Sequence, residues 1–148
     1  MIYVYNDGGR SRYFKANSVG DCVTRAIANA TGKDYKEIYN DINELAKSER
    51  KGKKKKGISN ARNGVYKQTE RKYLNSLGWA YRPVNSIGQS VKYHLTETDL
   101  EALGLEVGCY IIQIARHLTV VKDGVIYDTF NPTDYSEPMI YGYYYKAV

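Results

Sequence analysis

Cysteine is scarce in this sequence, and the two cysteines that occur lie far apart. Cys22 and Cys109 form no CxxC pair, and no Cys/His cluster has the spacing of a zinc site. A disulfide scaffold or a structural zinc centre is therefore a poor explanation of the fold. We expect neither a metal ion nor a cofactor.

The sequence also lacks a long hydrophobic run. No stretch approaches the roughly 18 consecutive apolar residues of a membrane-spanning helix. The first ten residues, MIYVYNDGGR, contain neither the basic region nor the apolar region of a secretory signal. We expect an unprocessed cytoplasmic protein with no membrane partner.

The composition is that of a globular protein. Of the 148 residues, 43% are hydrophobic and 26% are charged, which argues against a disordered tail, a fibre or a coiled coil. This length is typical of one compact domain, here residues 1–148.

The positive charge is concentrated in one segment. The formal net charge is +6, and the ten residues 47–56 contain seven of the 22 basic residues. The helical periodicity disappears over residues 48–63, so we expect an exposed basic loop there. The run from Lys51 to Lys56 could bind an acidic partner, whereas so modest a net charge disfavours nucleic acid.

Helical patterns precede a run of strand patterns, which predicts an α+β domain. The pattern predicts helices from Asp21 to Gly32, from Asp34 to Ala46, from Tyr66 to Leu77 and from Thr96 to Leu103. Strands are predicted at residues 2–5, 79–83, 109–115, 117–121, 125–130 and 140–147. We therefore expect N-terminal helices packed on a C-terminal antiparallel sheet.

Two strands are joined by a strong hairpin signal. Asp123-Gly124 suits a two-residue turn, which would pair Lys122 with Val125 and fix every later pair. In that register His117 lies diagonal to Asp128, at roughly 7–8 Å between backbones and within reach of their side chains. A longer turn would shift this register and make Asn131 a candidate again.

Cys22 stands at the start of a predicted helix. The free N–H groups and the positive end of the helix dipole at that position favour a thiolate. A nearby imidazole would complete its activation, and a carboxylate on the other ring nitrogen would fix the tautomer. Asp21 acts against the thiolate unless its carboxylate is occupied in capping the helix.

The segments GDCVTRAIANATG and RHLTVVKDGVIYDTF, with the closing YGYY string, resemble papain-like cysteine peptidases. The likeness is closest to small uncharacterised papain-fold proteins of bacteria and their phages. The peptidase domains that process bacteriocins look like more distant relatives. The resemblance covers residues 17–32 and roughly 108–145. It implies a papain-like fold and, if a phage encodes the chain, a location in the host cytoplasm.

The resemblance implies a role for each matched residue. Cys22 would be the nucleophile, His117 the general base and acid, and Asp128 the orienting third member, with Asn131 as the alternative. The Cys22 N–H and the side chain of Asn17 would hold the oxyanion. The family usually has Gln about six residues before Cys, where this chain has Ala16.

Two functional classes follow from these patterns. The first is a thiol hydrolase that cleaves a peptide, isopeptide or related amide bond of a protein or peptide substrate, with transfer to an amine as a variant. The second is a small basic binding protein for nucleic acid or an acidic protein. In that protein Cys22 would be structural, and Tyr141, Tyr143, Tyr144 and Tyr145 would form a stacking surface.

Overall fold

The fold is α+β, with helices on a central sheet. A computed structural model describes residues 1–15, 19–50, 57–85, 88 and 90–147. Within these residues the helices are α1 (Cys22–Thr31), α2 (Tyr35–Ala46), α3 (Lys67–Ser76) and α4 (Glu97–Ala102). The strands are β1 (Tyr3–Tyr5), β2 (Trp79–Pro83), β3 (Cys109–Ile114), β4 (His117–Lys122), β5 (Val125–Asp128) and β6 (Gly142–Lys146).

The six strands form one mixed sheet in the order β1-β5-β4-β3-β6-β2. The four C-terminal strands pair antiparallel, as the sequence predicts. The expectation of a wholly antiparallel, C-terminal sheet is wrong in two respects. β1 adds parallel to β5 at one edge, and β2 adds to β6 at the other. Both joining strands are short apolar or aromatic segments that gain backbone partners at an open edge.

The helices begin and end where local chemistry predicts. The Asp34 side chain accepts the N–H of Glu37 at the start of α2, and the Thr96 hydroxyl accepts the N–H of Asp99 at the start of α4. Gly32 ends α1 with φ of 74°, a left-handed conformation that glycine adopts without steric cost.

Apolar side chains cover both faces of the sheet. On one face the helices α1, α2 and α3 contribute Ile27, Ile38 and Leu74 to a core that includes Ile111 and Tyr144. On the other face α4 and neighbouring loops cover a second core, which includes Leu95, Leu100, Ile112, Ile126 and Ile140. The sheet is therefore a buried middle layer.

The predicted exposed loop at 48–63 is only partly described, because residues 51–56 lie outside the described ranges. Two of its described residues, Ser59 and Ala61, are buried rather than exposed. The Ala61 N–H donates to Asn43 Oδ1 at 2.9 Å, and its carbonyl accepts the Thr24 hydroxyl at 2.7 Å. Helix side chains thus satisfy backbone groups that have no secondary-structure partner, which sequence periodicity does not reveal.

The β4–β5 turn has the predicted two-residue form. Asp123 and Gly124 have φ of 49° and 79°, and Lys122 pairs with Val125. Both central residues of such a turn require positive φ, which matches the right-handed twist of the two strands.

Substituting Gly124 with alanine should therefore destabilise the protein. We expect Gly124→Ala to lower the free energy of unfolding by about 1 kcal/mol, because a Cβ is disfavoured at this φ. Urea denaturation measures the change. Gly57→Ala is the matched control, since Gly57 has open space around its Cβ position and no left-handed φ. Equal effects of the two substitutions would contradict this account of the turn.

Candidate active site

The β4–β5 hairpin brings His117 and Asp128 together. Because the strands are antiparallel, β4 begins and β5 ends at the same end of the hairpin. The Nε2 atom of His117 lies 2.7 Å from Oδ2 of Asp128. The register predicted from Asp123-Gly124 is confirmed, and with it the proximity of the two side chains.

Cys22 completes the group from the N-terminus of α1. The helix begins at Cys22, so its N–H is one of the first-turn groups that no carbonyl within the helix accepts. The half-buried thiol interacts with the imidazole of His117 and with the backbone N–H of Leu118. Because Nε2 of His117 faces Asp128, the ring nitrogen left for the sulfur is Nδ1.

The environments of Cys22 and His117 favour an ion pair. Burial raises the pKa of the Cys22 thiol, but the hydrogen bonds with His117 and Leu118 and the charges of His117 and Arg25 lower it overall. Burial lowers the pKa of His117, but Asp128 and the sulfur raise it to about 9. A thiolate beside an imidazolium is therefore favoured over a neutral pair between these two pKa values.

Asp128 is a buried carboxylate, exposed by only 2%, with partners on both oxygens. Oδ2 faces His117, while Oδ1 accepts the N–H of Thr129 at 2.7 Å and a guanidinium N–H of Arg25 at 2.8 Å. Burial raises its pKa, but the imidazole of His117 and the Thr129 N–H lower it overall. Asp128 therefore carries a negative charge opposite His117.

Phe130 covers one side of the imidazole. Its ring centroid lies 4.9 Å from that of His117, and 49% of the side chain stays exposed. The sequence register places Phe130 opposite His117, although β5 ends earlier, at Asp128. An aromatic ring at this position shields the polar contact between His117 and Asp128 from water on one side.

A network of buried charged residues, which the sequence did not predict as part of the site, adjoins Cys22, His117 and Asp128. Asp21 Oδ1 accepts hydrogen bonds from Arg10 at 3.0 Å and from Arg25 at 2.8 Å, and Oδ2 accepts the Tyr35 hydroxyl at 2.7 Å. The Asp21 side chain makes no capping hydrogen bond to α1. This carboxylate is therefore occupied by two guanidinium groups and the Tyr35 hydroxyl rather than by capping.

Part of this network had a signal in the sequence. Asp21 and Arg25 stand four residues apart on one helix, a spacing at which opposite charges meet. The contact between Arg25 and Asp128 joins residues 103 positions apart, so no local pattern predicts it.

The remaining candidate residues have different outcomes. Asn17 lies outside the described residues, so its predicted place in an oxyanion hole stays a prediction. Asn131 Oδ1 accepts the N–H and the hydroxyl of Thr133 at 2.9 and 2.7 Å, whereas Asp128 occupies the third position beside His117. Asp128 is thus the candidate whose side chain contacts His117, and its catalytic role stays a prediction.

The tyrosines near the C-terminus do not form one exposed surface. Tyr143 and Tyr144 are buried, and the Tyr144 hydroxyl donates to Glu70 at 2.5 Å. Their rings are therefore unavailable for stacking on bases, and Tyr141 is the exposed member of the string.

Two kinds of feature are absent from the described part of the chain. No group of three or more His, Cys, Asp or Glu residues there could hold a metal ion. None of the helices found there is long and apolar enough to span a membrane.

Comparison with protein-family models, curated proteins and solved structures finds no match for this chain. Its function is therefore inferred from the chemistry of the site.

Replacing Asp128 should lower the pKa of His117. In Asp128→Asn the buried imidazole loses its carboxylate partner, so we expect its pKa to fall from about 9 by about 1–3 units. Titration of the His117 ring by NMR measures this change.

Two variants serve as controls for this titration. His94 is the only other histidine, so His94→Gln assigns the resonances. Asp134→Asn removes an exposed carboxylate that has no hydrogen bond to His117 and should leave the titration unchanged. A wild-type His117 that titrates near 6.5, the ordinary value for histidine, would contradict the assigned environment.

Proposed function

We propose that this protein is a papain-like cysteine hydrolase that cleaves a peptide, isopeptide or related amide bond through an acyl-enzyme on Cys22. The observation that carries this proposal is the hydrogen-bonded pair of His117 and Asp128, with the Cys22 thiol at the start of α1 close enough to the imidazole for the two groups to shift each other's pKa. A thiol, a base and a group that orients the base are the parts that nucleophilic acyl transfer requires.

The first half of the reaction forms the acyl-enzyme. The Cys22 thiolate attacks the carbonyl carbon of the scissile amide, and the carbonyl oxygen gains negative charge. The N–H of Cys22, at the positive end of α1, is a donor suited to that oxygen. His117 then gives its proton to the leaving amine as the C–N bond breaks.

The protonation state of His117 suits an amide substrate. An amine is a poor leaving group unless it is protonated, and His117 remains an imidazolium up to a pH of about 9. Asp128 stabilises this charge and keeps Nε2 engaged, so Nδ1 is the nitrogen that faces the sulfur.

The second half of the reaction returns the free enzyme. His117, now neutral, takes a proton from water, and the resulting hydroxide attacks the thioester carbonyl. The C–S bond breaks and a carboxylic acid leaves. An amine in place of water would give transfer instead, with a new amide bond as the product.

The order of the parts supports the papain-like assignment. A cysteine begins a helix, a histidine begins a later strand, and an aspartate ends the next strand of a hairpin. This is the arrangement that the sequence resemblance implies for the fold and for the roles of the three residues.

Replacing the nucleophile should abolish turnover. We expect the wild-type protein to cleave members of a diverse synthetic peptide library, whereas Cys22→Ala forms no product. In His117→Ala we expect the rate to fall about 10²–10⁴-fold, because general acid–base catalysis is lost. Mass spectrometry of the products measures both effects. In water enriched with heavy oxygen, hydrolysis labels the new carboxylate and transfer does not.

Cys109→Ala is the matched control for these variants. Cys109 is half-buried, its thiol lies 3.8 Å from the carbonyl of Ala30, and burial raises its pKa. Its removal should leave cleavage unchanged. Cleavage by Cys22→Ala at the wild-type rate would overturn the proposed function.

A further inference from the structure

Arg25 lies one helical turn after Cys22 and is almost completely buried. Its Nε donates to Asp21 Oδ1, and one terminal nitrogen donates to both Asp128 Oδ1 and Thr129 Oγ1, each at 2.8 Å. A guanidinium keeps its charge in proteins, so its burial requires anionic partners such as these two carboxylates. Arg25 therefore links the start of α1 to the end of β5.

The carboxylate of Asp128 is held from both sides. Oδ2 contacts His117, and Oδ1 contacts Arg25 and the N–H of Thr129. With both oxygens engaged, the carboxylate group cannot rotate without breaking a charged hydrogen bond. The contacts of Oδ1 with Arg25 and Thr129 thereby fix the direction in which Oδ2 points at the imidazole.

We infer that Arg25 is a positioning residue of the Cys22 site, which holds Asp128 so that His117 and Cys22 form their ion pair. This inference rests on the proposed function. Arg25 acts through Asp128, and its positive charge also favours the Cys22 thiolate. The sequence resemblance gives no role to this position.

The geometry of the side chain explains why arginine suits this position. The planar guanidinium presents several N–H donors in fixed directions, so it can bridge two carboxylates at once. A lysine would keep the positive charge, but it would place a single ammonium group between Asp21 and Asp128. Arg25→Lys therefore removes the bridge between the two carboxylates and keeps the positive charge, whereas Arg25→Met removes both.

Other charged and titratable groups lie around Cys22, Arg25 and Asp128. Among the described residues, Asp21, His117 of β4 and Tyr3 of β1 face Cys22, Arg25 or Asp128, whereas Arg10 and Tyr35 of α2 contact Asp21. Asp21 accepts the Nε–H of Arg25, and Asp128 accepts a terminal N–H of the same guanidinium. Tyr35 hydrogen-bonds to Asp21, so it belongs to the same buried network without contacting Asp128.

The test is an NMR titration of the Cys22 thiol and the His117 imidazole, in protein with isotope-labelled cysteine and histidine. In Arg25→Met we expect the midpoint of Cys22 thiolate formation to rise by about one pH unit, which leaves about tenfold less thiolate on the acid side. Arg25→Lys should give a smaller shift, because the charge is kept and the bridge is lost. The Cys109→Ala background leaves Cys22 as the one labelled cysteine.

Tyr35→Phe is the matched control. It removes a buried hydrogen bond from the same network, so it should lower stability to urea while leaving both titrations at their wild-type midpoints. A merely structural Arg25 would instead make Arg25→Met behave like Tyr35→Phe, with lower stability and unchanged titrations. That result would overturn the inference.

The outcomes separate this inference from the proposed function. If Cys22 and His117 titrate in folded Arg25→Met and Arg25→Lys as they do in the wild type, the role of Arg25 is overturned and the proposed function is not. If Arg25→Met does not fold, unchanged titrations in Arg25→Lys decide against the inference. A wild-type protein whose Cys22 stays a thiol until His117 has lost its proton would overturn both.

Discussion

The buried carboxylate of Asp128 is the group on which the rest of the site depends. A charge removed from water is tolerated only with compensating partners, and Asp128 has an imidazole on one oxygen and a guanidinium on the other. The backbone is also fixed at this residue, because the Asn6 N–H donates to the Asp128 carbonyl at 2.8 Å. Asp128 thus joins β5 to β4 and α1 through its carboxylate, and to the residue that follows β1 through its carbonyl, at one end of the sheet.

This constraint connects the fold to the chemistry. The hairpin sets the distance from Asp128 to His117, and α1 brings both Cys22 and Arg25 to the same end of the sheet. Beyond Arg25, the chain of contacts continues to Asp21 and then to Arg10. Each buried charge in this network therefore contacts a charge of opposite sign. The ion pair of Cys22 and His117 is therefore embedded in a site whose other charges already balance.

The parts of this site that sequence predicts are those governed by local rules. Asp123-Gly124 specifies a two-residue turn, and the turn fixes which residues of β4 and β5 meet. The contact of Arg25 with Asp128 depends on how α1 packs on the sheet, which no local rule determines. The burial of Ala61 and the parallel addition of β1 are likewise results of tertiary packing.

If His117 turns Cys22 into a thiolate, the pH dependence of iodoacetamide alkylation shows it most directly. Only the thiolate reacts, and Cys109 is an internal control in the same molecule because burial raises its pKa. Peptide mass spectrometry should show wild-type Cys22 alkylated at a lower pH than Cys109, with that advantage lost in His117→Ala. Slow alkylation of Cys22 that is equal in the two proteins would contradict the account.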